Sequence, residues 1–329
     1  MRDAQLPASR SRRRRTAGLV AAATAVAGLA TAYAVAAPPS PSAPGSVAEA
    51  ATAKDGTTVH AGTPAEAAAR AKTGTAATPW LRPAGAPLTV IAHRGAPSAA
   101  PENTLVSDEV ARRGGADWIE NDVQPSKDGV PYILHDTTVD RTTDGTGPLR
   151  SLTSAQLNAL DAGSWFAPAY AGARVPTLAA QLADLRDRGG KLLLEIKGRH
   201  SHAEVARIIR DVREQGMADR VFVQSFDIPS LRYTHELAPE LPLGLLRSTL
   251  DADPVALAEE LDLAAYNVSD AALSTRPGIV RDLHTAGVAV NVWTVDTPAR
   301  WKALDTLGVD GVITNRPTEL GGWSAGRTS

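Results

Sequence analysis

The chain has 329 residues, of which 43% are hydrophobic and 21% charged, with no cysteine. That much apolar material over that length excludes disorder throughout and is enough for one large core or two ordinary ones. The missing cysteines exclude a disulfide scaffold, a thiolate metal site, a cysteine nucleophile and a lipidated cysteine anchor. Formal net charge is -2, but residues 1–37 hold six arginines against one aspartate, which leaves 28 basic and 35 acidic residues beyond them. The remainder therefore carries -7, a balance that disfavours a nucleic-acid partner.

The N-terminal asymmetry has the layout of an export signal. Arg12 to Arg15 precede an alanine-rich apolar run from Ala17 to Ala37, and both Ala32-Tyr33-Ala34 and Ala34-Val35-Ala36 fit a small-x-small cleavage site. Either the general or the twin-arginine route fits residues 1–37, and an uncleaved anchor is the alternative for a run of this length. The expected product is a secreted, extracellular protein with no stable membrane span in its mature form. Residues 38–87, rich in Ala, Pro, Ser, Thr and Gly, have little apolar surface to bury and are expected to form a flexible linker.

From Leu88 the punctuation becomes regular. Strand candidates are Leu88 to His93, Trp118 to Asp122, Leu192 to Lys197, Val221 to Phe226, Leu243 to Arg247, Ala265 to Ser269, Val288 to Val295 and Gly311 to Thr314. Helical patterns lie between them and stop at Gly114, Gly189, Gly216, Gly287 and Gly308, while Asp253-Pro254 and Thr297-Pro298 mark helix starts. Eight strands alternating with helices predict an α/β fold, a (β/α)8 TIM barrel over residues 88–320 with a tail at 321–329. A doubly wound open sheet is the alternative.

One apolar run breaks the alternation. Val130 to His135 follows Asp122 too closely for a helical crossover, so a hairpin through Asp128-Gly129 is expected. Pairing 127 with 130 would set Asp122 opposite His135. Residues 136–176 then form a short insertion before a helix beginning near Thr177.

In such barrels chemistry gathers where strands end at their C-termini. Glu120 and Asp122 share one strand face by their spacing, and Glu195 shares a face with Lys197 on the next parallel strand. Strands lie about 4.8 Å apart, so three carboxylates can converge there on one hard cation. Solvated edge charges are the simpler explanation for a lone E-x-D. They fit poorly beside Ile119, Val123 and Leu192 to Leu194, where charges are costly unless paired or metal-bound. His93 and His135 suit a general acid and a general base. Arg94 and Lys197 offer positive charge to an anionic phosphate, or ion pairs to the same acids. Trp293 could cover an apolar part of a substrate, or fill the barrel top. His200 and His202 are expected to be solvated, and Glu102 and Asn103 to be structural, capping the first helix or holding the His93 loop.

Taken in order, His93-Arg94-Gly95, Pro101-Glu102-Asn103-Thr104, Glu120-Asn121-Asp122-Val123, Lys127-Asp128-Gly129, His135-Asp136, Arg141-Thr142-Thr143 and Glu195-Ile196-Lys197 resemble the glycerophosphodiester phosphodiesterases. The similarity runs from about Val90 to Pro317. It implies a (β/α)8 barrel, a divalent cation on Glu120, Asp122 and Glu195, His93 and His135 as acid and base, and phosphate contacts from Arg94 and Lys197. The implied activity is metal-dependent hydrolysis of glycerophosphodiesters, or of a glycerol-phosphate polymer, to glycerol 3-phosphate and an alcohol. A related phospholipase D-like or phosphoinositide-cleaving barrel and a non-catalytic barrel binding cell-wall polyol phosphates are the alternatives. Export favours Ca2+ over Mg2+ as the cation. Asn121 and Gln124-Pro125-Ser126 depart from the usual family pattern, at positions that are not proposed ligands.

Overall fold

The computed structural model describes residues 80–326. The export signal expected over 1–37, the linker up to residue 79 and residues 327–329 of the tail lie outside the described residues. Among the described residues no helix is long and apolar enough to cross a membrane.

Eight parallel strands close on themselves. In chain order they are β1 Thr89–Ala92, β2 Trp118–Pro125, β4 Leu192–Ile196, β5 Val221–Ser225, β6 Leu243–Arg247, β7 Ala265–Ser269, β8 Ala289–Trp293 and β9 Gly311–Thr314. Each pairs with the next, and β1 closes the circle by pairing with both β9 and β2. The expected barrel is therefore present, and the open sheet is excluded. The crossovers are α1 Leu105–Arg113, α3 Leu178–Arg188, α4 His202–Glu214, α5 Ile228–Leu237, α6 Pro254–Glu260, the pair α7 Asp270–Thr275 and α8 Ile279–Thr285, and α9 Pro298–Leu307, with α10 Pro317–Ala325 after the last strand.

Local chemistry fixes these helices. Thr104, Thr177, Ser201 and Asp253 each accept a backbone N–H from the first turn, which satisfies a donor that has no intrahelical partner. Gly308 ends α9 at φ 92°, a conformation that costs glycine little. The main core lies between barrel and helices, where Leu178, Leu182, Leu185, Ile208 and Ile209 meet the outward faces of Leu192, Leu194 and Val223. Inside the barrel, Ile91, Leu193, Phe222, Ala265, Ala289 and Ile313 form a separate apolar layer.

Two expectations need correction. Residues 80–87, grouped with the linker by composition, are packed across the barrel floor. Trp80 sits against Trp118 and Phe222 at ring distances of 5.9 and 4.9 Å, and Arg82 reaches Asp305 Oδ1 at 2.7 Å and, through its backbone N–H, Asp310 Oδ1. Local composition hid this because the partners lie more than a hundred residues away for Phe222 and more than two hundred for Arg82's acids.

The hairpin is present but its register is one residue off. β3, Pro131–Ile133, pairs antiparallel with β2 so that Val123 faces Ile133 and Pro125 faces Pro131. Ser126 and Val130 close the turn, leaving a three-residue loop with Gly129 at φ 76° in place of the two-residue turn. Ser126 Oγ explains the longer loop, since it accepts Val130 N–H at 2.9 Å and donates to Asp128 Oδ1. Asp122 consequently lies opposite Leu134, whose N–H it accepts at 2.9 Å. His135 falls beyond the end of the strand. The insertion that follows holds α2, Ser154–Ala159, and two short 3-10 turns over a small core of Tyr132, Leu134, Val139, Leu149, Leu157, Ala162 and Val175.

Candidate active site

The C-terminal ends of the strands surround a cavity of about 160 Å³ lined by His93, Arg94, Glu120, His135, Glu195, Lys197, Phe226 and Trp293, among others. A larger hollow of about 360 Å³ lies at the opposite end, against Trp80, Trp118 and Phe222. The chemistry belongs to the smaller one, because that is where the acids meet.

Parallel pairing places Asp122 beside Glu195, with Glu120 two residues back on the same face. One oxygen from each comes within 4.8 Å of the others, and none of the three residues is more than 5% exposed. Burial, then the charges of Asp122 and Glu195, holds Glu120 well above the usual carboxylate range. Burial and Asp122 push Glu195 up to about 8. Burial alone would raise Asp122 too, yet Lys197 and Arg94 beside it pull it down to about 2. Lys197 Nζ lies 3.1 Å from Asp122 and 3.0 Å from Glu195, and Arg94 Nε lies 3.3 Å from Asp122. Were all three acids ionised, two cations would leave net negative charge in this buried oxygen-only donor set, which is why Glu120 and Glu195 hold their protons when no further cation is bound. That set fits a hard divalent ion.

Both histidines reach the cavity, each held through Nδ1. His93 Nδ1 lies 2.8 Å from Asn315 Oδ1, while the Asn315 NH2 donates to Asp296 Oδ2. That arrangement turns the amide oxygen toward the ring, so Nδ1 carries the proton and Nε2 is left bare. Burial, reinforced by Arg94, lowers His93 to about 4. His135 Nδ1 lies 2.7 Å from Asp136 Oδ1. Arg141 grips the same carboxylate and also Glu102, which in turn bonds Arg94 Nη1 at 2.9 Å. The turn that presents His93 is tight: Arg94 and Gly95 have φ of 53° and 85°. A side chain at Gly95 would run into Ser107, whose Oγ accepts Ala96 N–H and donates to Arg94 O.

Several residues read as structural or solvated from sequence are placed differently. Asn103, at φ 55°, leaves the helix cap to Thr104; its backbone N–H holds the His93 loop through Arg94 O at 3.0 Å, and its side chain also donates to Asp122 Oδ2 at 2.9 Å. Glu102 joins the ring of charge around Arg94 and Arg141. His200 is 4% exposed, not solvated, because the loop after β4 folds its ring inward; its burial lowers it below the ordinary histidine value. His202 is half exposed, as expected. Trp293 ends β8 with its ring edge-on to Phe226 at 5.6 Å and its Nε1 donating to Asn267 O, so it forms a wall of the cavity. Asn315, Asp296 and Gln224 were missed. For Asn315 and Asp296 the only sequence signal was a polar side chain just beyond the end of a strand, while Gln224 lies in Gln224-Ser225-Phe226, within the stretch that resembles the family.

Comparison with known proteins agrees with this geometry. The sequence model of the Glycerophosphoryl diester phosphodiesterase family matches residues 93–319. A glycerophosphodiester phosphodiesterase of Caldanaerobacter subterraneus subsp. tengcongensis is 36% identical over 233 residues, covering 70% of this chain and 95% of that protein. Another from Bacillus subtilis is 34% identical over 250 residues, covering 70% of this chain and 84% of the relative. An Oleispira antarctica phosphodiesterase, solved in complex with the product sn-glycerol-3-phosphate, superposes with a TM-score of 0.69 at 31% identity, covering 72% of this chain and 96% of that one. The barrel, the acid trio, the paired histidines and these relatives lead to one assignment: the chain belongs to the glycerophosphoryl diester phosphodiesterase family.

Proposed function

We propose that the protein hydrolyses glycerophosphodiesters to glycerol 3-phosphate and an alcohol, using a divalent cation and a pair of histidines. The observation that carries this is the convergence on one cavity of a buried acid trio and two imidazoles, each held through Nδ1. A binding module has no need of two positioned imidazoles. The relatives named as phosphodiesterases, and the product held by the Oleispira enzyme, support the substrate class.

Glu120, Asp122 and Glu195 would hold the cation, which when bound supplies Lewis-acid polarisation of the phosphoryl oxygens. Arg94 and Lys197 keep fixed positive charge at the cavity wall, each already oriented by an acid. Phe226 and Trp293 present apolar surface to the carbon skeleton of the substrate. The partners of the two histidines divide the roles. His93, backed by a neutral amide and held uncharged by burial, takes at Nε2 the proton of the nucleophile, either water or a glycerol hydroxyl whose cyclic phosphate water then opens. His135, with Asp136 at its Nδ1, gives a proton from Nε2 to the departing alkoxide; the proton taken by His93 passes to solvent and His135 regains one from water as the cycle closes.

His93→Ala and His135→Ala are each expected to lose at least about 100-fold in kcat with cation present. Near-parental turnover in either would refute the pair, and full turnover after exhaustive chelation would refute the cation. The signal-like residues 1–37 support action outside the cytoplasm, where abundant Ca2+ would fill an all-oxygen site in preference to Mg2+. N-terminal sequencing of protein recovered from culture medium tests the first. Titration of the metal-free protein with each ion tests the second.

A further inference from the structure

We infer that Gln224, Asn267 and Asn291 form a positioning row that fixes the orientation of Glu120. This deepens the cation reading above and rests on it. Glu120 Oε2 accepts Arg94 N–H at 3.0 Å, and Oε1 accepts Gln224 Nε2 at 3.4 Å. Gln224 Oε1 accepts from Asn267 Nδ2 at 2.8 Å, and Asn267 Oδ1 accepts from Asn291 Nδ2 at 2.9 Å. Every amide donates in the direction of the acid.

The direction is dictated by chemistry. A Glu120 that holds a cation does so as a carboxylate with no proton to give, so the amide beside it must present its NH2, as Gln224 does. Its oxygen then remains for the NH2 of the next amide, and the same constraint passes along to Asn291. Dipoles aligned in this way reinforce one another in a low-dielectric interior. The row thus holds one carboxylate oxygen in a set rotation, as hydrogen bonds behind metal ligands do.

The barrel makes room for it. Gln224 and Asn267 are 1% and 0% exposed, in the layer above the apolar one formed by Ile91, Leu193, Phe222, Ala265, Ala289 and Ile313. β6 and β9 contribute glycine where the row passes. A Cβ at Gly244 would stand 2.8 Å from Asn267 Nδ2, and one at Gly311 would overlap Asn291 Oδ1. Two core side chains are given up to admit three amides. Aliphatic residues would fill the same volume without any need for partners.

The test uses the full-length protein with Asn267→Leu, which removes both of that residue's links at similar volume. Calorimetric titration of the chelator-stripped protein with Ca2+ or Mg2+ should give a Kd about 10- to 100-fold weaker than the parent. Turnover of glycerophosphocholine should return to the parental kcat when the cation is raised to saturation, a rescue that a misfolded core would not allow. Asn291→Leu, farther along the row, should weaken the cation in the same sense but less, and it decides the matter if Asn267→Leu does not fold. Parental Kd values in the folded variants would overturn the row while leaving the site intact. A parent protein that binds neither cation would overturn the cation reading, and this inference with it.

Discussion

Replacing Glu195 with Gln should stabilise the metal-free fold while destroying its cation site. Burial and the neighbouring Asp122 raise the Glu195 carboxyl from 4.5 to about 8. A carboxyl that holds its proton more tightly when folded makes the folded state bind more protons than the unfolded one, so stability falls as pH rises. The cost is absent below about pH 4.5, grows through the interval and is complete above about 8. At about 1.4 kcal/mol per pH unit the ceiling is about 5 kcal/mol. Glu120 shares the same repulsion and Lys197 still offers a donor to the amide, so a gain of about 2–4 kcal/mol is expected. The assay is urea denaturation in chelator, parent against variant, at pH 5 and pH 9. The variant should match the parent closely at pH 5 and exceed it at pH 9. Added Ca2+ or Mg2+ should then lift the parent and leave the variant nearly unmoved. A variant no more stable than the parent at pH 9 would mean that Lys197 and Arg94 already compensate the trio, and the electrostatic case for a cation would fail.

Asp136→Asn should lower kcat by about 10- to 100-fold with little change in KM, because it removes the carboxylate that orients His135; unchanged turnover in steady-state assays would release Asp136 from that role. If His93 is the base, protonation disables it, so the acid limb of kcat/KM should fall as pH drops through about 4; a pH profile with that limb centred near 6.5 would contradict the assignment. At Asn103, both Ala and Gly forfeit the hydrogen bond to buried Asp122, a loss of about 1.5–3 kcal/mol. Only Ala also pays for the left-handed backbone, so chemical denaturation should find Asn103→Gly the more stable of the two by about 1 kcal/mol.

What the sequence made legible was whatever is periodic or local. Eight strand runs and their glycine and proline punctuation were enough for the alternating α/β pattern, since a two-residue and a 3.6-residue period survive in the sequence whatever the chain packs against, while closure into a barrel rests on the pairing of β1 with both β9 and β2. Glu120, Asp122 and Glu195 were legible for the same reason, as charges placed inside apolar strands. The hairpin register was not, because it turned on a hydroxyl: Ser126 Oγ captured Val130 N–H and lengthened the loop by one residue. His135 reached the cavity all the same, by leaving the strand before the alternation of faces could turn it away. The packing of Trp80 and Arg82 on the barrel floor, the Asn315 contact to His93 and the amide row are long-range pairings. Each is one polar or aromatic side chain whose partner is distant in sequence, and no local pattern announces it. The hold of Glu102 and Asn103 on the His93 loop was within reach of their motif, but the left-handed turn that swings Asn103 onto Asp122 has no composition signal beyond asparagine itself.

The proposed hydrolysis is tested most directly by phosphorus NMR of glycerophosphocholine, and separately of a glycerol-phosphate polymer, incubated with the full-length protein and Ca2+ or Mg2+. Glycerol 3-phosphate is the expected phosphorus-containing product, with formation stopped by chelator and by His93→Ala or His135→Ala. Phosphocholine as the product, turnover that survives chelation, or binding of the polymer without cleavage would contradict it.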